Sequence, residues 1–109
     1  MKIALLGDIA FFGKFSLKQN EELFKYFENV SKILNKFDYV VGNLETPFVN
    51  GHRPYGYKSA YISSVIENVK ILKYLGVNVV NLANNHIYDY GPDALQLTKE
   101  ILEKNDIQY

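Results

Sequence analysis

Three short apolar runs, each breaking off at small or polar residues and each followed by a helix-length segment, constrain this chain more than any other feature. Ile3-Ala4-Leu5-Leu6 stops at Gly7-Asp8; Asp38 to Leu44, centred on Tyr39-Val40-Val41, is interrupted by Gly42-Asn43; and Val77 to Leu82 stops at Ala83-Asn84. Short β-favouring runs of this kind are the mark of strands buried on both faces of a sheet. Their ends fall where a strand gives way to a loop.

The segments between them carry helical periodicity. From Asn20 to Lys36 the apolar residues Leu23, Phe24, Phe27, Val30, Ile33 and Leu34 recur three and four apart, which predicts one amphipathic helix with Asn20 as its N-cap. Ser64-Val65-Ile66-Glu67 has capping-box spacing, and Val65, Val69, Leu72 and Leu75 predict a second helix that Gly76 stops. Gly91-Pro92 opens a third, with Leu95, Thr98, Ile101 and Leu102 along its face, and Ile107 begins a further extended segment. Residues 45 to 63 hold Pro47, Pro54, Gly51 and Gly56 among Phe48, Tyr55, Tyr57 and Tyr61, and are expected to form a long aromatic loop. Strands alternating with helices predict an α/β fold of parallel βαβαβα units with right-handed crossovers.

Composition narrows the function classes. Twelve basic and twelve acidic residues cancel, so no overall field draws the chain to nucleic acid or an anionic membrane. Without cysteine, any metal has to be held by carboxylates, imidazole and amide oxygens. The apolar start, Met1 to Leu6, is too short for a signal-peptide core or a membrane span, and a cytoplasmic location is the expectation. There is no glycine-rich phosphate loop and no nucleophile elbow.

In open parallel sheets, ligands bind at the carboxyl ends of the strands, where successive loops converge. Here those ends supply Asp8 from the first run, Asn43 and Glu45 from the second, and Asn84, Asn85, His86 and Asp89 from the third. Two carboxylates, an amide and an imidazole suit a divalent cation such as Mn, Mg, Fe or Zn. Each residue alone has an ordinary structural reading: Asp8 as a strand-end turn residue, Glu45 as a solvated carboxylate, Asn84-Asn85 as a turn, and His86 as a structural histidine. Their coincidence at one edge favours a site. Asp89 either orients His86 or caps the next helix, and the cap is the favoured expectation. Arg53, Lys58 and the tyrosines at 55, 57 and 61 either bind an anionic substrate above this edge or pack as a lid.

Gly7-Asp8, the stretch Val41-Gly42-Asn43-Leu44-Glu45-Thr46-Pro47, and Asn81-Leu82-Ala83-Asn84-Asn85-His86 followed by Asp89-Tyr90-Gly91 and Thr98 resemble successive blocks of the CapA family of capsule-synthesis proteins. That family is similar to the calcineurin-like metallophosphoesterases. The resemblance implies that residues 1–109 are the N-terminal part of a four-layer α/β/β/α domain with one or two divalent cations. It implies Asp8 as a ligand of the first metal, Asn43 or Glu45 as the shared or second ligand, Asn85 as an amide ligand, and His86 as the catalytic residue facing the substrate. The substrate implied is a phosphorylated small molecule or an anionic polymer such as poly-γ-glutamate. The chain departs from the wider superfamily at Ala10, where a histidine is usual. It also has only His52 and His86, without the later His-x-His pair, and His52 reads as a surface residue.

Two functions follow as expectations. One is a metal-dependent phosphoesterase or related transferase whose remaining ligands lie outside these residues. The other is a non-catalytic scaffold or polymer-binding module with the same fold. A partial sheet also leaves unpaired edge and uncovered apolar surface, so self-association into a homo-oligomer is expected.

Overall fold

The computed structural model describes all 109 residues. In chain order the elements are β1 (Ile3–Ile9), α1 (Leu23–Tyr26), α2 (Glu28–Leu34), β2 (Tyr39–Leu44), β3 (Phe48–Val49), β4 (Ser64–Val65), α3 (Val69–Tyr74), β5 (Val79–Asn81) and α4 (Gly91–Lys104), with 3-10 turns at Gly13–Phe15 and Ile66–Asn68. The expected α/β organisation is present. Strands β1, β2 and β5 form one sheet in that order, with both pairings parallel. The extended segment expected at Ile107 begins to join it, through a parallel bridge between Gln108 and Val79.

Parallel strands need long crossovers, and the crossovers here put their helices on one side of the sheet. Val40, Leu44 and Val80 point to that side and share a single core with Leu23, Leu34, Leu72 and Leu102 from the helices. The expectation that the strands are buried on both faces is therefore corrected: Ile3, Leu5 and Tyr39 stand on the other face and are 52, 80 and 41 % exposed. No helix of the chain is long and apolar enough to cross a membrane.

A bulge in β1 decides which way Asp8 points. Leu5 pairs with Val41 and Asp8 with Asn43, so β1 spends two residues, Leu6 and Gly7, where β2 spends only Gly42. The extra residue reverses the alternation of side chains. Without it, Asp8 would share the core face with Ala4 and Leu6. With it, Asp8 turns out to the bare face beside Asn43, and Ile9 drops into the core. Gly42 makes room for that, because a Cβ at this position would lie 2.3 Å from Ile9 Cδ1.

Three further expectations are corrected. The helix expected over residues 20–36 is two short helices meeting at Phe27, and Val30 and Ile33 are exposed. The buried stripe runs instead through Leu23, Phe27, Ser31 and Leu34, because the Ser31 hydroxyl donates to Tyr74 O at 2.6 Å and so can be buried. Asn20 does act near the start, accepting from Glu22 N at 3.0 Å. Ser64 is no helix cap: it lies in β4, donates to Phe11 O at 2.8 Å, and accepts from Asn68 Nδ2 at 2.8 Å. Helix α3 does end at Gly76, whose φ of +76° permits paired closing bonds from Val77 N to Leu72 O and from Gly76 N to Lys73 O. The long loop, finally, is not without structure, since β3 and β4 at its two ends pair in parallel.

Helix α4 is anchored to β3 by one side chain. Thr98 Oγ1 accepts from Phe48 N at 2.8 Å and donates to Ala94 O at 2.8 Å, with Thr98 fully buried. Thr46, equally buried, has an Oγ1 with no partner. The two threonines should therefore respond oppositely to the same change. Thr98→Val orphans a buried N–H and is expected to cost about 1–3 kcal/mol, with Thr98→Ser retaining most of the stability. Thr46→Val removes an unsatisfied hydroxyl and is expected to be neutral or stabilising. Urea denaturation midpoints of the three variants check this.

Candidate functional site

The ends of the three sheet strands present a row of polar side chains on the bare face. Strand register sets Asp8 beside Asn43 and Asn43 beside Asn81. Their amides bond in sequence: Asn81 Nδ2 donates to Asn43 Oδ1 at 2.8 Å, and Asn43 Nδ2 donates to Asp8 Oδ1 at 2.8 Å. A fourth amide ties this row to the loop that follows β5. Asn84 Nδ2 donates to Asn43 Oδ1 at 3.1 Å and to Leu44 O at 2.8 Å. Asn84 Oδ1 accepts from the backbone N–H groups of His86 and Ile87, both at 3.0 Å. Asn84 is thus the turn residue that fixes where His86 begins.

The His86 ring is held from below by Asp89. The two residues are three apart in a turn, and His86 Nδ1 lies 2.7 Å from Asp89 Oδ2. Asp89 is fully buried, and it also accepts from Ile62 N at 2.9 Å and from the Lys58 ammonium. The favoured reading of Asp89 as a helix cap is corrected: the N-cap position of α4 is Tyr90, and no side chain caps that end. With Asp89 ionised, His86 Nδ1 carries the proton and donates it, which leaves Nε2 as the free ring nitrogen.

The other candidates divide by what already engages them. Asn85 is exposed with its side-chain amide free of hydrogen bonds, while its carbonyl accepts from Lys58. Glu45 follows β2, half-buried and without a side-chain partner, its N–H bonded to Ile9 O at 3.0 Å. Asn43 spends its amide oxygen on two donors and its amide nitrogen on Asp8. His52 lies apart in a surface turn, its Nδ1 accepting from Asn50 N at 3.0 Å. In the aromatic loop, Tyr55 and Tyr61 pack edge-on against Tyr88 and Tyr90, as a lid does, whereas Tyr57 is fully exposed.

The donor chemistry of this edge matches a hard divalent cation, but the number of donors falls short. No three His, Asp or Glu groups of the chain come together as a metal cluster, and binding through Asn43 Oδ1 would break two hydrogen bonds. These residues do not by themselves make up a metal centre.

Of the two roles left open for Lys58, substrate cation or part of a packed lid, the structure favours the second: it is committed to Asp89 and to the Asn85 carbonyl. A signal existed: a buried carboxylate needs a cation, and Arg53 and Lys58 are the basic residues between Lys36 and Lys70.

Asp89 makes stability depend on pH. Burial alone would raise its carboxyl, but the hydrogen bonds from Lys58, Ile62 N and His86 outweigh that and hold it below its ordinary value of 3.8. A depressed folded-state value stabilises the fold above the unfolded-state value, and that contribution disappears as pH falls through the lower folded-state value. Acid titration of stability should therefore show the wild type losing an increment as pH falls below the ordinary carboxylate value that Asp89→Asn does not lose, the variant being less stable at neutral pH.

Comparison with known proteins gives the chain a family. The family described as bacterial capsule synthesis protein PGA_cap matches residues 2–109. A capsule biosynthesis protein CapA of Bacillus anthracis is 37% identical over 86 residues, covering 76% of this chain and 21% of that protein. A PGA biosynthesis protein CapA of Bacillus subtilis (strain 168) is 33% identical over 102 residues, covering 90% of this chain and 26% of that protein. An uncharacterized protein y4sH of Sinorhizobium fredii is 33% identical over 86 residues, covering 74% of this chain and 19% of that protein. The chain thus spans about a fifth to a quarter of the length of these relatives. Its strand-end row, its Asn-Asn-His turn and the helix after them all lie within the matched residues, and the chain belongs to the bacterial capsule synthesis protein PGA_cap family.

Proposed function

We propose that this chain supplies the substrate-facing edge of a metal-dependent phosphoesterase-type site used in capsule or PGA synthesis. The observation that carries the reading is the link between the Asp8-Asn43-Asn81 row and an imidazole already oriented by a buried carboxylate, made through Asn84. His86, one-fifth exposed, keeps Nε2 free to take up a proton, and the doubly protonated ring would donate from Nε2 to an oxygen of a phosphoryl or other acidic group, where a positioned donor stabilises developing charge. Asp8, Glu45 and Asn85 are the groups of this chain that would contribute to a divalent cation, with further donors coming from outside these residues. Of the two alternatives for the shared ligand, Glu45 is preferred, because its carboxylate is free and the Asn43 amide is spent. A bound cation would supply Lewis acidity to the ester. The substrate class is a phosphorylated small molecule or an anionic polymer, consistent with the PGA in the name of the Bacillus subtilis relative.

The mutual bonding of Asp8, Asn43 and Asn81 favours a second reading, a non-catalytic scaffold whose polar row is satisfied within itself. Mn titration followed by calorimetry separates the two. A protein that carries these residues together with the further donors is expected to bind Mn, with affinity falling about tenfold or more in its Asp8→Ala and Glu45→Ala variants, the loss usual when a ligand or its support is removed. Equal binding by all three proteins contradicts the metal assignment and leaves the scaffold.

A further inference from the structure

The aromatic loop between Asn50 and Ser63 meets the His86 turn at several independent points, and most of them converge on Asp89. Tyr55 N donates to Asp89 O at 2.8 Å. Ile62 N donates to Asp89 Oδ2, the oxygen that also receives His86 Nδ1, and the Lys58 ammonium bonds Asp89 Oδ1 and the Asn85 carbonyl. Around this polar centre the Tyr55 ring lies on Gly91, where an added Cβ would come within 3.0 Å of Tyr55 Cδ2, and stacks edge-on against Tyr88 at 5.6 Å. Gly91 has φ +82°, so both its backbone and its bare surface suit this approach.

The Asp89 carboxylate is thus shared between the loop and the turn: Oδ1 takes Lys58 from the loop, and Oδ2 takes both Ile62 N from the loop and His86 Nδ1 from the turn. A carboxylate without water cannot lose one donor and keep the others unchanged, because the remaining partners must redistribute to cover its charge. We infer that Lys58 and Asp89 are positioning residues: they make seating of the Asn50–Ser63 loop and orientation of the His86 imidazole a single event. The loop is a strap, and Lys58 is its fastening. Release of Lys58 frees the loop and lets the His86 ring rotate or change tautomer. Docking restores Nδ1–H toward Asp89 and presents Nε2 outward. A substrate that contacts the strap would in this way set the imidazole that meets it. The inference deepens the proposed function by naming how His86 is set, yet its test uses no metal and no substrate, so it stands or falls separately from the Mn titration.

The test is nitrogen-15 NMR of the imidazole together with hydrogen exchange of the loop amides, on the intact protein and its Lys58→Met, Lys58→Arg and Asp89→Asn variants. In the wild type His86 should show one tautomer with the proton on Nδ1, and the Tyr55 and Ile62 amides should be protected. In Lys58→Met both signatures are expected to be lost together, with the two amides exchanging about tenfold faster or more. Lys58→Arg should recover both, since a guanidinium can reach the same carboxylate. Asp89→Asn should lose the tautomer preference while the far side of the core, reported by the Leu72 and Leu102 amides, stays protected. A Lys58→Met protein whose loop loosens while His86 keeps its wild-type ring signals overturns the coupling. So does one whose loop stays protected.

Discussion

A carboxylate sealed from water has to be neutralised by the protein around it, and in this chain that carboxylate is Asp89. Its three donors come from three places: the turn that carries His86, the backbone at Ile62, and the Lys58 side chain from the middle of the aromatic loop. Each would be a weak contact at the surface, where water competes. Buried together, they become mutually dependent, because each lost donor leaves charge that the others must cover. The position of His86 and the path of residues 55–62 both follow from satisfying one group.

The strand-end row is the other organising element, and it is built by register. A single extra residue in β1 turns Asp8 from the core to the bare face, and Gly42 opposite the bulge leaves space for Ile9 to replace it inside. Three parallel strands then align Asp8, Asn43 and Asn81 closely enough for their side chains to bond in a line. Asn84 joins this line to the Asp89 cluster through the backbone of His86. The edge is therefore one connected polar network, laid across the face of the sheet that the helices leave uncovered.

Much of this was legible in the sequence, for physical reasons. The three apolar runs marked the strands, although β1 continues through Gly7-Asp8 to Ile9 and β2 through Gly42-Asn43 to Leu44, and Gly76 and Gly91-Pro92 marked where α3 stops and α4 starts. The same strand ends yielded Asp8, Asn43 and His86 as neighbours of one edge. What could not be read depended on partners distant in the chain. Ser31 and Ser64 are buried because Tyr74 O and Phe11 O receive their hydroxyl protons, so a stripe drawn from apolar residues alone chose Val30 and Ile33 instead. Asp89 looked like a cap because caps are local, whereas its real partner Lys58 lies 31 residues away. The β3–β4 pairing hid inside a loop for the same reason, each strand being only two residues long.

The PGA_cap family match covers residues 2–109, and the network within them explains what these residues do for one another. The central claim is that Asp89 and Lys58 act as one unit beneath His86. It is tested most directly by a double-mutant cycle on folding stability, comparing Lys58→Met, Asp89→Asn and the double variant by urea denaturation at neutral pH. Lys58→Met alone is expected to be the costliest change, because it strands a buried charge, and adding Asp89→Asn is expected to recover part of the loss, with a coupling of about 1–3 kcal/mol. Strict additivity of the two substitutions would contradict that claim.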